Sequence, residues 1–320
     1  MTLIKPPTGE NILLAARNLK TGALIGLPTE TVYGLAADAE NESAVRRIYE
    51  VKGRPFDHPL IVHIGSIEYL EKWAIDIPHY ALLLAEKFWP GPLTLILKRS
   101  KIAKNFVTGG QESVAIRYPR NEVALSVLRN FHHLGGQGLA APSANKFGAV
   151  SPTDANAVEE EIGHKLEVGI DFILNGGQSD VGVESTIVDC FSTKNPNILR
   201  SGYVTQNDIQ ARIGYQVIQN LGFENIRFPG GVESHYSPNA KVIIEGTPKI
   251  GDGFIALSSI ETPKGCVRLC SPVNLSEFAR DLYLALRNGD KLNLKRIYIS
   301  IPEGEGIATA IRERVTKAAR

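Results

Sequence analysis

The chain has 320 residues, of which 43% are hydrophobic and 22% are charged, the balance of an ordinary globular protein with room for one large core and a smaller one. Its 35 lysines and arginines almost cancel its 34 acidic residues. The resulting net charge of +1 argues against a general polyanion-binding protein, although not against one local basic pocket.

The first predicted elements are a helix, a strand and a second helix. Residues 11–22, NILLAARNLKTG, repeat apolar side chains at helical spacing, and ALIGLP at 23–28 has the composition of a short buried strand. The second helix, NESAVRRIYEVKG, has Asn41 as its expected N-cap and Gly53 directly after its last turn. This alternation predicts the start of an α/β domain.

Hydroxyl and carboxylate side chains follow the first strand directly, in PTETVYGLAADA. Thr29, Thr31 and Tyr33 surround Glu30 at the strand end. Ligands collect at strand ends in open α/β sheets, so a binding site is one interpretation. A turn whose hydroxyls bond its own backbone is the other, and spacing alone does not separate the two.

The segment KGRPFDHPLIVHI gathers Lys52, Arg54, His58 and His63 around the turn that leads from the second helix into the next strand. The helix dipole favours a cation in the last helical turn, as at Lys52, but that explanation weakens for Arg54, which lies beyond Gly53. Together the two cations suit phosphate or carboxylate oxygens. His63 lies inside an apolar run, where a buried structural histidine is the commoner case.

Further strands and helices complete the larger domain. The strand candidates are LIVHI, LTLILK, VAIRYP, GLAAPSAN, DFILNGG, STIVD and NILRSG, and the helices lie near residues 66–75, 79–88, 121–132 and 154–162. The pattern predicts a mixed α/β domain of about 200 residues.

Several polar side chains of this domain are candidates for a site. Ser113 and Arg117 share one strand face, and an inward arginine needs an anionic partner, from the protein or from a ligand. The segment GGQGLAAPSANKFGAVSPT adds small residues and the hydroxyls of Ser143 and Ser151, which would let backbone amides approach a phosphate. It matches neither the P-loop nor the dinucleotide-binding GxGxxG motif. The strand boundaries of GVESTIVD and ILRSG contribute Ser185, Thr186 and Arg200.

A helix near 205–213 leads out of the larger domain, which we place at 1–214. Residues 215–240 hold Gly, Pro, Ser and Asn without lasting periodicity, which predicts a linker. Residues 241–320 combine the strand candidates KVIIEG, GFIALS, VRLCS and RIYISIP with two helices, and the first helix, LSEFARDLYLALRNG, is expected to stop at Gly289. These elements predict a smaller, Rossmann-like α/β domain.

Neither a secretory signal nor a membrane segment is predicted. The start, MTLIKPPTGENILLAAR, lacks a long apolar run, and charges, prolines and a glycine interrupt YALLLAEKFWPGPLTLIL. The three cysteines, Cys190, Cys266 and Cys270, match reduced thiols in a cytoplasmic protein. Cys266 and Cys270 lie four residues apart, but no second Cys or His pair accompanies them, so buried structural thiols are expected rather than a zinc site.

The sequence shows no metal-ligand cluster, no nucleophile elbow and no carboxylates paired for acid–base hydrolysis. Charge and positioning remain as the available chemistry. Cations and hydroxyls would hold a polyphosphate beside a small polar molecule and make their reaction effectively intramolecular.

At this point the motifs resemble a known family. PTETVYGLAADA, KGRPFDHPLIVHI, FWPGPLTLIL, SVAIRYP, LAAPSANKFG, GVESTIVD and ILRSG follow the order seen in YrdC-like domains, over roughly residues 10–205. With the linker and the C-terminal domain, the chain resembles the long, two-domain form of the threonylcarbamoyl-AMP synthase family. The resemblance implies a YrdC-like mixed twisted-sheet domain that converts L-threonine, bicarbonate and ATP to L-threonylcarbamoyladenylate and pyrophosphate.

The resemblance also implies partners and residue roles. Mg²⁺ would act through ATP and not through protein side chains, and the adenylate would serve a separate transferase that makes threonylcarbamoyladenosine in tRNA; direct tRNA binding stays open. Threonine would be held by Thr31, His63, Arg117, Ala141 and Ser185. The nucleotide would be bound by Lys52, Arg54, His58, Ser113, Ser143, Ser151, Arg200 and Tyr236. Lys52 and Arg54 would in addition act in catalysis, facing the charge that builds on the leaving pyrophosphate.

Two features depart from the family pattern. Position 58 is commonly Asn in the family, and His58 would make the hydrogen bond to the nucleotide pH-dependent. The linker segment PGGVESHYSP, which contains Tyr236, lacks the basic residues expected before its HY.

Two alternative functions also stay open. One is an RNA-binding module of this fold without the chemistry, against which the nearly neutral net charge counts. The other is a different ATP-dependent carbamoylating or adenylating enzyme.

Overall fold

The structure is a computed structural model that describes residues 3–219, 226–231 and 236–320. Residues 220–225 and 232–235, which belong to the predicted linker, lie outside the described residues. The helices are α1 (Gly9–Lys20), α2 (Glu42–Lys52), α3 (Leu70–Trp73), α4 (His79–Phe88), α5 (Asn105–Thr108), α6 (Glu122–His133), α7 (Ala155–Ile162), α8 (Gln206–Ile213), α9 (Leu275–Lys291) and α10 (Ile307–Ala318). The strands are β1 (Ile4–Lys5), β2 (Ile25–Leu27), β3 (Gly34–Asp38), β4 (Ile61–His63), β5 (Leu93–Lys98), β6 (Ser113–Arg117), β7 (Leu139–Ala140), β8 (Phe172–Leu174), β9 (Thr186–Asp189), β10 (Asn197–Arg200), β11 (Ile218–Gln219), β12 (Lys241–Ile243), β13 (Gly253–Ile255), β14 (Val267–Cys270) and β15 (Arg296–Ile299).

The larger domain is built on a mixed sheet. The described strands follow the order β1-β8-β2-β3-β7-β4-β6-β5-β9-β10-β11. The neighbours β4 and β6 are parallel, as are β5 and β9, whereas β2 and β3, and also β5 and β6, are antiparallel. The smaller domain has its own parallel sheet, in the order β12-β15-β13-β14. The predicted mixed sheet with a smaller α/β domain is confirmed.

Local signals set the ends of α2 as predicted. The Asn41 side chain accepts a hydrogen bond from the Ala44 amide, and Gly53 ends the helix in the left-handed region with φ of 64°. Residues with a Cβ are strained in that region. The helix therefore stops at Lys52, and the chain turns there toward β4.

The strand β3 is not predicted by the sequence pattern. Gly34–Asp38 pair antiparallel with β2, so the polar turn of PTETVYGLAADA ends at Tyr33. All the residues of β3 are buried, and such a strand shows no alternation of polar and apolar side chains. Its small residues therefore gave no strand signal.

Gly289 does not stop α9, contrary to the sequence expectation. The helix continues to Lys291 and is capped at Leu292. A Cβ built at Gly289 would lie 2.4 Å from Cδ1 of Ile297 in β15. The glycine therefore permits close packing of the helix on the sheet.

The two domains share an apolar contact. One cluster contains Val150 and Val183 of the larger domain together with Phe278, Leu282 and Tyr283 of α9. Burial of these side chains is a favourable contribution to domain association, at roughly 25 cal/mol per Å² of apolar surface removed from water. The smaller domain thus packs beside the loops that carry the site.

Three further sequence expectations concern thiols, membranes and metals. Cys190, Cys266 and Cys270 are free, and Cys190 is buried as predicted. Cys266 and Cys270 are only partly buried, and Cys266 precedes β14, so the prediction of two buried thiols on one strand is wrong. Within the described ranges, no helix has the length and apolarity needed to span a membrane. In the same part of the chain, no group of three or more His, Cys, Asp or Glu side chains is placed to hold a metal ion.

Candidate active site

A small cavity lies at the ends of neighbouring strands of the larger sheet. The parallel strands β4 and β6 end at His63 and Arg117, which are register partners. The cavity has a volume of about 50 Å³, enough for a few water molecules but not for a nucleotide. The predicted site residues that line it are Thr31, Arg54, His63, Arg117, Ala141, Ser143, Ser185, Arg200 and Tyr236.

The described part of the linker closes this cavity. Pro229, Gly230 and Tyr236 form part of its wall. Arg200 Nη1 donates to the Pro229 carbonyl at 2.8 Å, and Lys317 of α10 donates to the Gly230 carbonyl. A nucleotide can therefore enter only if this segment moves.

Arg117 is held by two neighbours from the turn after β2. Its Nη1 donates to Thr31 Oγ1 at 2.7 Å, and its Nη2 lies 2.8 Å from Glu30 Oε1. All three side chains are buried. The anionic partner that an inward arginine requires is therefore present within the protein, and the ion pair sets the orientation of the guanidinium at the cavity wall.

His63 presents a neutral imidazole. Its Nδ1 lies 3.3 Å from the Ile61 carbonyl oxygen, which can only accept, so in the neutral ring Nδ1 is the donor and Nε2 is the acceptor. Burial, assisted by the nearby Arg117, lowers the pKa of His63 to about 3. His63 can therefore accept a hydrogen bond from a ligand at physiological pH.

The neutral imidazole predicts a loss of stability in acid. With a pKa of about 3 in the folded protein and about 6.5 in the unfolded chain, His63 binds a proton only when unfolded between these pH values. Its contribution is therefore complete above pH 6.5 and declines as the pH falls toward 3, by roughly 2 kcal/mol at pH 5. Urea unfolding at pH 7 and pH 5 should show this difference between the wild type and His63→Gln. Equal losses in both proteins would contradict a buried neutral imidazole.

The two predicted catalytic cations differ in position. Arg54 lines the cavity, and its Nη2 donates to the Pro59 carbonyl at 2.8 Å. Lys52 lies behind the wall, where its Nζ donates to the carbonyls of Ser143 at 2.5 Å and Asn145 at 2.6 Å. Burial, reinforced by the charge of Arg54, lowers the pKa of Lys52 well below its ordinary value.

Ser185 and Arg200 form another part of the cavity wall. The Ser185 hydroxyl lies 2.7 Å from Thr94 Oγ1 of β5. Arg200 donates from Nη2 to the Ser185 hydroxyl at 3.1 Å and from Nε to the Ser185 carbonyl at 3.0 Å. Because Arg200 also reaches Pro229, it connects this wall to the linker.

Two other predicted nucleotide residues lie away from the cavity wall. Ser113 begins β6, at the opposite end from Arg117 and about 13 Å away along the strand. His58 packs edge-on against Phe147, with ring centroids 5.3 Å apart. Burial and the charge of Arg54 lower the pKa of His58, which favours its neutral form.

Sequence reasoning missed Glu184, which lines the cavity. Ser151, predicted for the nucleotide, lies behind it and donates to Glu184 Oε1 at 2.6 Å. Tyr283 donates to Glu184 Oε2 at 2.9 Å, and Arg314 Nε donates to the same oxygen at 2.8 Å. Glu184 stands beside Ser185 in GVESTIVD, a signal that could have found it, whereas Tyr283 and Arg314 carry no comparable sequence signal.

Two protein-family models match consecutive parts of the chain. The Sua5/YciO/YrdC family model, described as "Telomere recombination", matches residues 17–202. The model described as "Threonylcarbamoyl-AMP synthase, C-terminal domain" matches residues 204–320. The chain belongs to the threonylcarbamoyl-AMP synthase family. The family resemblance of the motifs is thereby confirmed.

Relatives in this family match almost the whole chain. A threonylcarbamoyl-AMP synthase from Pyrococcus abyssi is 37% identical over 326 residues, which cover 96% of this chain and 93% of the relative. One from Bacillus subtilis is 39% identical over 329 residues, with 96% and 92% covered. The solved structure of P. abyssi Sua5 complexed with L-threonine has a TM-score of 0.88 and 36% identity, covering 99% of this chain and 97% of that one.

Proposed function

We propose that this chain synthesises L-threonylcarbamoyladenylate from L-threonine, bicarbonate and ATP, with release of pyrophosphate. The observation that carries the proposal is one cavity that joins Thr31, His63 and Arg117 to Arg54 and Arg200. The first three side chains suit an amino acid, and the last two suit phosphate oxygens. The likeness to a structure solved with L-threonine supports the amino-acid half of the site.

The amino acid is positioned by one hydrogen-bond donor, Arg117, and one hydrogen-bond acceptor, His63. Arg117, oriented by Glu30 and Thr31, donates to the threonine carboxylate. Nε2 of neutral His63 accepts from the threonine amine or hydroxyl. With a pKa of about 3, His63 does not retain a proton at neutral pH, so it orients the amine and is not the base that deprotonates it. The neutral amine then forms a C–N bond to carbon dioxide and releases one proton to water, or forms it to bicarbonate and releases one molecule of water. Either reaction yields the carbamate.

The second step is adenylation of the carbamate. A carbamate oxygen forms a bond to the α-phosphorus of ATP, the bond from that phosphorus to the bridging oxygen breaks, and its electron pair leaves with pyrophosphate. Arg54 and Arg200 at the wall, and Lys52 behind it, are the cations placed to stabilise the growing negative charge.

Mg²⁺ is expected to be held by the phosphates of ATP. The two carboxylates nearest the site, Glu30 and Glu184, are already paired with Arg117 and Arg314. The donors at the wall therefore fit a metal that arrives with the nucleotide. The ion supplies further neutralisation of the phosphate charge.

The adenylate is expected to pass to a separate transferase that makes threonylcarbamoyladenosine in tRNA. The reduced thiols and the need for ATP, bicarbonate and tRNA favour the cytoplasm. The alternative RNA-binding module predicts salt-sensitive RNA binding that threonine does not change.

Pyrophosphate release tests the proposed function. Release should require L-threonine, bicarbonate and ATP together, and a panel of other amino acids should support it poorly. Activity that does not depend on bicarbonate, or that prefers another amino acid, would identify a different adenylating enzyme. Absence of release together with RNA binding would favour the RNA-binding module.

Within the linker predicted at 215–240, Ile218–Gln219 form β11 and pair with β10 of the larger sheet. We therefore propose that the part of the linker beyond β11, which carries Pro229 and Tyr236, acts as a lid. Pro229 and Tyr236 already close the cavity, whose volume of about 50 Å³ is too small for ATP. The segment must therefore open for substrates and close again for reaction. Threonine plus ATP should protect it from limited proteolysis, measured by mass spectrometry of the fragments. Equal cleavage with and without ligands would contradict the lid.

A further inference from the structure

The smaller domain reaches the site through one buried carboxylate. Glu184 lines the cavity, and Arg314 of α10 donates to its Oε2 at 2.8 Å. Tyr283 of α9 donates to the same oxygen at 2.9 Å, while Ser151 donates to Oε1 at 2.6 Å. Both carboxylate oxygens are therefore engaged, and two of the three donors belong to the smaller domain.

The charge of Glu184 needs this compensation. Burial by itself raises the pKa of Glu184, but Arg314 and Arg200, together with the hydrogen bonds, outweigh burial and bring the pKa down to about 2. Glu184 is thus an anion in the wall of a site proposed to receive a triphosphate. Without Arg314, its charge would repel the phosphates and compete with them for Arg200.

Arg314 also supports the lid residue Tyr236. Its guanidinium carbon lies 5.4 Å from the centre of the Tyr236 ring, and that ring stacks on Tyr283 with centroids 5.6 Å apart. Such cation–π and aromatic contacts favour one position of the ring. Lys317, one turn further along α10, donates to the Gly230 carbonyl in the same closing segment.

We propose that Arg314 is a positioning residue of the nucleotide site, which cancels the charge of Glu184 and supports Tyr236 over ATP. The smaller domain thereby lowers the KM for ATP and contributes little to threonine binding. This inference rests on the proposed function. Arg314 acts through Glu184 and Tyr236, since it does not itself line the cavity.

Steady-state kinetics of Arg314→Met test this role. The KM for ATP should rise by roughly tenfold to 100-fold, the loss expected for a charged hydrogen bond, with a smaller change in kcat. The dissociation constant of threonine, measured by calorimetry without ATP, should change by less than about twofold. Arg312→Met is the matched control, because Arg312 lies on the same helix but bonds the Pro302 carbonyl and Thr309. Arg312→Met should leave the KM for ATP and the dissociation constant of threonine unchanged.

The double variant Glu184→Gln with Arg314→Met separates charge compensation from simple domain packing. If Arg314 cancels the carboxylate charge, removal of both charges should reverse the part of the rise in KM for ATP that Glu184 causes, whereas the part that comes from the lost contact with Tyr236 should remain. A double variant no better than Arg314→Met, or an Arg314→Met enzyme with unchanged KM for ATP, would overturn the proposal.

Two further measurements keep the outcome decisive. If Arg314→Met does not fold, Tyr283→Phe removes one donor to Glu184 and should still raise the KM for ATP without changing threonine binding; no change would count against the role. If the wild type releases no pyrophosphate, the proposed function fails. ATP affinity by calorimetry then tests Arg314 directly, and equal affinities of wild type and Arg314→Met would refute the inference.

Discussion

Replacing Lys52 with alanine is expected to slow pyrophosphate release by roughly 100-fold or more, with little change in threonine affinity. In the closed structure the buried ammonium donates to the carbonyls of Ser143 and Asn145. Burial and the charge of Arg54 depress the pKa of Lys52, so an arriving triphosphate would strongly favour its charged form. Negative charge on pyrophosphate is greatest as it leaves, so kcat should fall more than binding.

Lys165→Ala provides the control for this experiment. Lys165 Nζ donates to the Val51 carbonyl, one residue before Lys52, but from the exposed surface. Its loss should leave pyrophosphate release within about twofold of the wild type. Near-normal turnover of Lys52→Ala would remove Lys52 from its proposed role.

The second large effect, on both stability and threonine affinity, is expected when Arg117 is replaced. Arg117→Met leaves Glu30 as a buried anion without its cation, which should lower the free energy of unfolding by about 3–5 kcal/mol. The same change removes the proposed donor to the threonine carboxylate. Threonine affinity should therefore fall by roughly tenfold to 100-fold.

The double variant Glu30→Gln with Arg117→Met distinguishes the two roles of this arginine. With both charges removed, most of the stability should return in urea unfolding, because no buried charge is left unpaired. Calorimetry with L-threonine should still show the loss of affinity. Recovered threonine binding would mean that Arg117 supports the fold and does not bind the substrate.

Much of the local structure could be predicted because its causes lie within a few residues. The N-cap Asn41 and the left-handed Gly53 bound α2 as expected, and His79–Phe88 form α4 where apolar spacing placed a helix. Strand β3 was not predicted because a strand buried on both faces shows no alternation of polar and apolar residues. The predicted end of α9 at Gly289 was wrong because a glycine can occur either at a helix end or where a helix packs closely on a sheet.

The candidate site was only partly predictable. The order of motifs pointed to side chains that the fold does bring to one cavity, among them Thr31, Arg117 and Arg200. It did not show that Lys52 lies behind the wall or that Ser113 lies at the far end of its strand. Those positions depend on which end of each strand faces the cavity and on how closed the linker is.

The sequence by itself determined the family, the two-domain α/β architecture and a concentration of cations and hydroxyls at strand ends, because capping, periodicity and motif order are local properties. Only the tertiary structure decided the partners of those charges. Arg117 and Thr31 are 86 residues apart, and Arg314 and Glu184 are 130 apart. Buried charges must find partners wherever folding brings them, and no local pattern encodes a pairing across such distances.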